Sequence, residues 1–437
     1  MGIHARRRAV AAAAALALIA VVAIVLATSG GGAAAPPDEA ARLVPAGTLA
    51  YVHVSTDAGR DAVRRALALA GRFPAFRSLR AGLVARLTAP GCGLGRAGLH
   101  GREAAVAITP AGTLTLLDTG SARGASAAHR CGSVSAERIG RFLAVGPPAA
   151  VNAARAVAAG RAQSLAGLEA YRSVCTGLPA GRFADAYVSA AGLRTVLAPR
   201  GGLAGMAAAL LDRADLVAVG LAAEARAPGV RLTIDELGTG QQAPSPHAPQ
   251  LVGRIPAGAV AALDVADLGA TLRRFGGLLG GMSATVQRQL AAALPGETAL
   301  WLTPDGTDTP TLTMINGSAH AGRVPAALGA GALHAAVLDG QLVVSTRPSG
   351  LDAVRAAGAR LRDSAAYRAV LADAPARLSA LGFLDFSELL RLGEQTGLDA
   401  SRAYQRVRDD LRKVRAVGAV STGDADHTTV QLELSIP

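Results

Sequence analysis

The chain has 437 residues, two to three times the usual domain length, and its 51% apolar against 17% charged content excludes disorder throughout, a collagen repeat and a charged coiled coil. Aromatic residues make up only 3%, which argues against stacking on single-stranded nucleic acid, and three cysteines are too few for a disulfide scaffold or an all-cysteine zinc site. The formal charge of +12 is unevenly spread: residues 42–237 hold 23 Arg against 12 acids, a net of +11, whereas residues 251–437 are neutral.

Residues 1–8 form a basic tail in which Arg6, Arg7 and Arg8 precede an uninterrupted apolar run from Ala9 to Ala27. As a helix this run would span roughly 28 Å, close to the hydrocarbon thickness of about 30 Å. Residues 9–28 therefore read as a signal anchor, a single transmembrane helix. The arginines stay in the cytoplasm and the bulk of the chain lies outside the cell membrane. The alternative is a secreted protein released by cleavage after Ala27-Thr28-Ser29. A spacer, residues 29–41, follows.

Residues 42–237 form a first predicted module. Leu49 to Val54 alternates and is rich in β-branched residues, which predicts a strand with Val52 and Val54 on its buried face. A helix follows, with Asp57 as its cap and Val63, Leu67 and Ala70 on one stripe; a second places Phe76, Leu79, Leu83 and Leu87 at helical spacing. Ala104 to Ile108 and Thr113 to Leu117 flank Thr109-Pro110-Ala111-Gly112 and predict a hairpin. Phe142 to Val145 is a strand, and Pro148 introduces a helix through Ala158. Phe183 to Val188, Leu216 to Leu221 and Val230 to Ile234 complete the strands.

Residues 238–250, rich in Gly, Pro and Gln, read as a linker. The order then repeats in residues 251–437. Val44-Pro45-Ala46-Gly47 matches Ile255-Pro256-Ala257-Gly258, and Glu103 to Pro110 matches Glu297 to Pro304. Phe142-Leu143-Ala144 with Pro148 and Arg155 matches Leu342-Val343-Val344 with Pro348 and Arg355. Tyr171-Arg172 answers Tyr367-Arg368, and Val219-Gly220 answers Val417-Gly418. The expected class is α+β: two tandem, duplicated modules of mainly antiparallel sheet with packed helices, behind one N-terminal transmembrane helix.

The opening Leu43 to Val54, the Phe73-Pro74 after the first helix, and Phe142 to Val145 before an Ala-rich helix resemble the bacterial domain-of-unknown-function family 3352. The resemblance covers most of residues 42–437. It implies a secreted or membrane-anchored envelope protein and supplies no activity or catalytic residue.

Chemical motifs are scarce. Gly93-x-Gly95-x-x-Gly98 has the spelling of a dinucleotide fingerprint but lies between a helical stretch and a strand, the wrong order for one, so it reads as a loop. Gly276, Gly277, Gly280 and Gly281 read equally as a close helix contact or as a flexible, glycine-weakened helix or a turn. No nucleophile elbow, His-Glu-x-x-His pair or Walker loop occurs. His53 reads as an ordinary exposed histidine whose counterpart is Asp264, and Asp235-Glu236 and Asp409-Asp410 as solvated charge. No catalytic, cofactor or metal residue is assigned. Cys92 and Cys131, each beside a glycine in a predicted loop, are the candidate disulfide, with Cys175 left reduced within a helix.

These readings point to a non-catalytic, membrane-anchored envelope protein acting as an interaction or structural element. The alternative is a carrier for an apolar or lipid-like ligand, and a hydrolytic enzyme comes last. The expected partners are the membrane, through the N-terminal helix, and anionic lipid or wall polymer, through the basic first module. No cofactor and no nucleic acid are expected.

Overall fold

The computed structural model describes residues 28–29, 35–73, 101–120, 129–131, 134–197, 214–239, 246–268, 294–304, 310–317, 333–356 and 358–437. The apolar run 9–27, the second predicted helix, Cys92 and both glycine motifs lie outside them. No helix among the described residues is long and apolar enough to cross a membrane. The fold mixes helices with mainly antiparallel sheet. It divides into two units, residues 1–226 with 232–240, and residues 227–231 with 241–437.

Apart from the short parallel pair Thr28–Ser29 and Asp57–Ala58, the strands of the first unit are β1 (Ala50–Ser55), β2 (Glu103–Thr109), β3 (Gly112–Asp118), β4 (His129–Cys131), β5 (Val134–Ile139), β6 (Phe142–Gly146), β7 (Ala184–Ser189), β8 (Leu216–Arg226) and, from residue 232 on, β9 (Gly229–Gly238). Antiparallel pairing runs β4-β5-β6-β3-β2-β1-β7-β8. The β2–β3 hairpin closes at Thr109 opposite Gly112, whose φ of 117° needs a glycine. Helix α2 (Pro148–Ala158) opens on its proline, where the missing N–H costs nothing.

Helices α1 (Asp61–Ala70), α2 and α3 (Glu169–Gly177) cover the sheet on both faces. Val63 and Ala66 of α1 pack on Val52, Val54 and Val106; Val151 and Ala154 of α2 and Val174 of α3 pack on Tyr51, Leu114, Leu116 and Phe142. Burying a side chain such as Val63 is worth about 1.5–3 kcal/mol. Two-sided cover corrects the expected alternation in β1, because every one of its residues is buried. The α1 cap is also corrected. Arg60 occupies that position, and Asp57 instead accepts from the backbone N–H of Gly59 within its own turn (2.9 Å). Asp235 and Glu236 are 1% and 2% exposed rather than solvated, since β9 runs on past them to Gly238.

In the second unit the strands are β10 (Ala261–Val265), β11 (Thr298–Thr303), β12 (Thr311–Asn316), β13 (His334–Leu338), β14 (Gln341–Ser345), β15 (Ala380–Asp385), β16 (Ala416–Gly423) and β17 (His427–Ser435). They pair antiparallel in the order β13-β14-β12-β11-β10-β15-β16-β17. With β5 set against β13, this is the strand order of the first unit. Helix α4 (Pro348–Arg355) again opens on proline, α5 (Ala365–Leu371) takes the place of α3, and α6 (Phe386–Gln395) and α7 (Arg402–Leu411) follow. A glycine sets each helix-to-sheet approach: a Cβ on Gly220 would lie 2.9 Å from Cβ of Val174, and one on Gly418 would lie 2.7 Å from the carbonyl oxygen of Val370.

Candidate functional site

Each unit buries a polar centre at the middle of its sheet. In the first, β1 lies between β2 and β7, with His53 opposite Ala105 on one side and Asp185 on the other. Glu103 stands two residues before Ala105, so its side chain falls on the same face as His53. The His53 imidazole is fully buried, with Nδ1 3.2 Å from Asp185 and Nε2 3.4 Å from Glu103. The spacer adds Asp38, whose carboxylate accepts from the hydroxyls of Tyr51 and Tyr171 and from the backbone N–H of Ala41. Tyr171 meets Tyr51 and Tyr187 edge to face, with centroids 6.0 and 5.6 Å away.

Two guanidiniums complete the neutralisation. Arg182 donates to Asp185 (3.1 Å), and Arg141 pairs with Glu103 and Asp118. Glu103 also accepts from the N–H groups of Glu39 and Ala40, tying down the start of the short 3₁₀ turn Ala40–Arg42.

Burial alone would push the His53 pKa down, but the charges of Asp38 and Asp185, the hydrogen bond to Asp185 and the nearby Glu103 carboxylate carry it well above 6.5. Burial would raise Asp185, yet His53 and Arg182 hold it below 3.8. For Asp38 burial wins and its pKa rises. His53 is therefore a buried imidazolium with a carboxylate at each nitrogen, which corrects its reading as an exposed histidine. Cover from remote elements on both faces is what removes it from water.

In the second unit the same strand position carries Asp264, opposite Ala299 of β11 and Leu381 of β15, with Glu297 again two residues before the β11 partner. The imidazole comes from the predicted linker. His247 forms an isolated bridge with Leu378, and its Nδ1 lies 2.8 Å from the Leu378 carbonyl oxygen. A carbonyl only accepts, so Nδ1 carries a proton. Nε2 lies 2.6 Å from Asp264. Glu297 accepts from the N–H of Leu251 (2.6 Å), the first residue of the 3₁₀ turn Leu251–Arg254, just as Glu103 serves Ala40. Burial is the largest influence on Asp264, followed by His247 and Glu297, and its pKa is pushed up to about 7.

Elsewhere, an open groove of 380 Å³ is lined by Ser387, Leu390, Arg391, Glu394, Arg412 and Arg415. Its carboxylate is occupied: Arg408, Tyr404 and Arg412 donate to Glu394 and hold its pKa at about 2, far too low for a general base near neutrality. Cys175 is a free, half-buried thiol of α3, raised to about 12 chiefly by burial. The candidate partner of Cys131 is Cys92, outside the described residues.

Sequence reading assigned no role to Asp38, Glu103, Asp185 or His247. The one available signal was the paired Glu103 and Glu297 at the head of the matched segments. Comparison with protein families, with curated proteins and with solved structures finds no match to this chain.

Proposed function

We propose that this chain is a non-catalytic, membrane-anchored envelope protein: a tandem duplication of one α+β module, held outside the membrane by residues 9–28 and serving as an interaction or structural element. The observation that carries the reading is the sealing of the first centre, where His53 and Glu103 have fully buried side chains and Asp185 is 3% exposed. Catalytic groups must reach a substrate, whereas here each carboxylate is taken up by internal donors. The matching strand orders and the parallel roles of Glu103 and Glu297 support the duplication. The short motifs similar to family 3352 agree with an envelope location, and the +11 charge of residues 42–237 suits an anionic lipid or wall polymer as partner.

A second reading, a carrier for an apolar ligand, draws on Leu263, Leu302 and Leu312, which are 36–41% exposed on neighbouring strands of the second unit. Protease added to intact, wall-stripped cells should digest both modules, and protection of the whole chain would reject the topology. Native mass spectrometry of the protein from its own membrane separates the two readings. A stoichiometric lipid that survives desolvation favours the carrier.

A further inference from the structure

We propose that His247, Asp264 and Glu297 form a binding site for one divalent transition ion, with Zn²⁺ the best fit, that fastens residues 246–250 to the sheet of the second unit. The donor atoms of the three residues lie within 4.8 Å of one another, close enough to converge on one ion.

Three observations carry the assignment. The first is the orientation of the histidine. With the Nδ1 proton given to the Leu378 carbonyl, Nε2 is the atom turned toward Asp264, and it becomes a ligand once the proton it shares with that carboxylate leaves, the arrangement that fixes a ligating imidazole. The second is Asp264, whose side chain is fully buried and whose Oδ2 has no hydrogen-bond partner although the Glu297 carboxylate lies against it. A buried carboxylate with a second, half-buried carboxylate against it needs a shared proton or a cation between them. The third is charge. Among the described residues no guanidinium pairs with Asp264 or Glu297, whereas in the first unit Arg141 and Arg182 neutralise the equivalent cluster.

The first unit also brings Asp38, His53 and Asp185 within reach of one ion. There, however, Arg141 and Arg182 already pair with the carboxylates, and the ring is fully sealed. His247 is 15% exposed, which leaves an ion a way in. One nitrogen and carboxylate oxygens without thiolate suit Zn²⁺ at about 2.0–2.2 Å and leave a fourth position for water. Tetrahedral ligands stand about 3.3 Å apart at such bond lengths, so the ion would replace the proton between His247 and Asp264 and part them by about 0.7 Å.

Zn²⁺ titration of the chelator-treated full chain should find one ion per chain. Glu297→Gln is the informative variant, because its amide oxygen still accepts from Leu251 and its amide N–H₂ can donate to Asp264, so the unit keeps its fold while a charged ligand is lost. Affinity should fall at least about tenfold in Glu297→Gln and in His247→Gln. In the Zn²⁺-loaded wild type, X-ray absorption should show nitrogen and oxygen neighbours with one imidazole. Absence of saturable binding, an affinity that survives either substitution, or a sulfur neighbour overturns the proposal.

Discussion

At the central strand position the first unit carries His53 and draws Asp38 from the segment ahead of its sheet; the second carries Asp264 and draws His247 from the corresponding place. Acid and base have changed places on one scaffold, while Glu103 and Glu297 keep the same task. The surroundings changed with them. By register, Arg141 gives way to Gln341, Asp118 to Asn316 and Asp185 to Leu381. What remains constant is a need: a segment outside the sheet must be fastened to its middle, and a polar bond across a buried strand does this only when its charges are balanced. The first unit balances them with guanidiniums and an imidazolium. The second has a single imidazole for two carboxylates, leaving room for a cation.

The largest expected effect tests the ionic balance. Asp185→Ala strips the carboxylate from the imidazolium of His53 and from Arg182, which leaves buried positive charge uncompensated and should destabilise the first unit by about 3–5 kcal/mol. Hydrogen exchange of the β1 amides measures this opening, and a loss below about 1 kcal/mol would show that the cluster contributes little to stability.

The helix contacts come next. Gly220→Ala and Gly418→Ala each place a methyl group where the facing helix already sits, at a cost of about 1–3 kcal/mol. Gly418→Ala should be the worse, because it meets a backbone carbonyl where Gly220→Ala meets a side chain. Equal losses in thermal unfolding would mean that both helices simply shift outward.

The pH response of the first unit has a definite sign. The His53 pKa is raised above 6.5, so its contribution is complete below that pH and is lost as pH rises through the folded value. The raised Asp38 pKa acts in the same direction: its contribution is present below 3.8 and fades as pH rises through the higher folded value. Asp185, held low, contributes above 3.8 and loses this as pH falls through its depressed value. Opening of β1, corrected for intrinsic exchange, should therefore grow easier on the alkaline side of about pH 6.5, and His53→Gln should remove most of that dependence. A flat profile in the wild type would count against the imidazolium.

The smallest effect is expected at the surface. Arg254→Ala breaks a solvent-facing pair with Asp339 and should cost less than about 1 kcal/mol in denaturant unfolding. A larger loss would mean that the second unit relies on peripheral ion pairs as the first relies on its central cluster.

Much of the framework was legible in the sequence, because it is written in local patterns. Proline at 148 opens a helix, Thr109 to Gly112 turns a hairpin, and the matched segments from Val44 and Ile255 lead into corresponding strands. These depend on backbone preferences within a few residues. The centres were hidden. His53 and Asp185 are 132 residues apart in sequence, and Asp38 and His247 sit in segments whose composition says only spacer and linker. A two-residue alternation reports which side chains share a strand face but not whether helices from elsewhere cover both faces. Burial of that kind decides whether a histidine is a surface group, an imidazolium or a ligand, and only the assembled sheet and helices provide it.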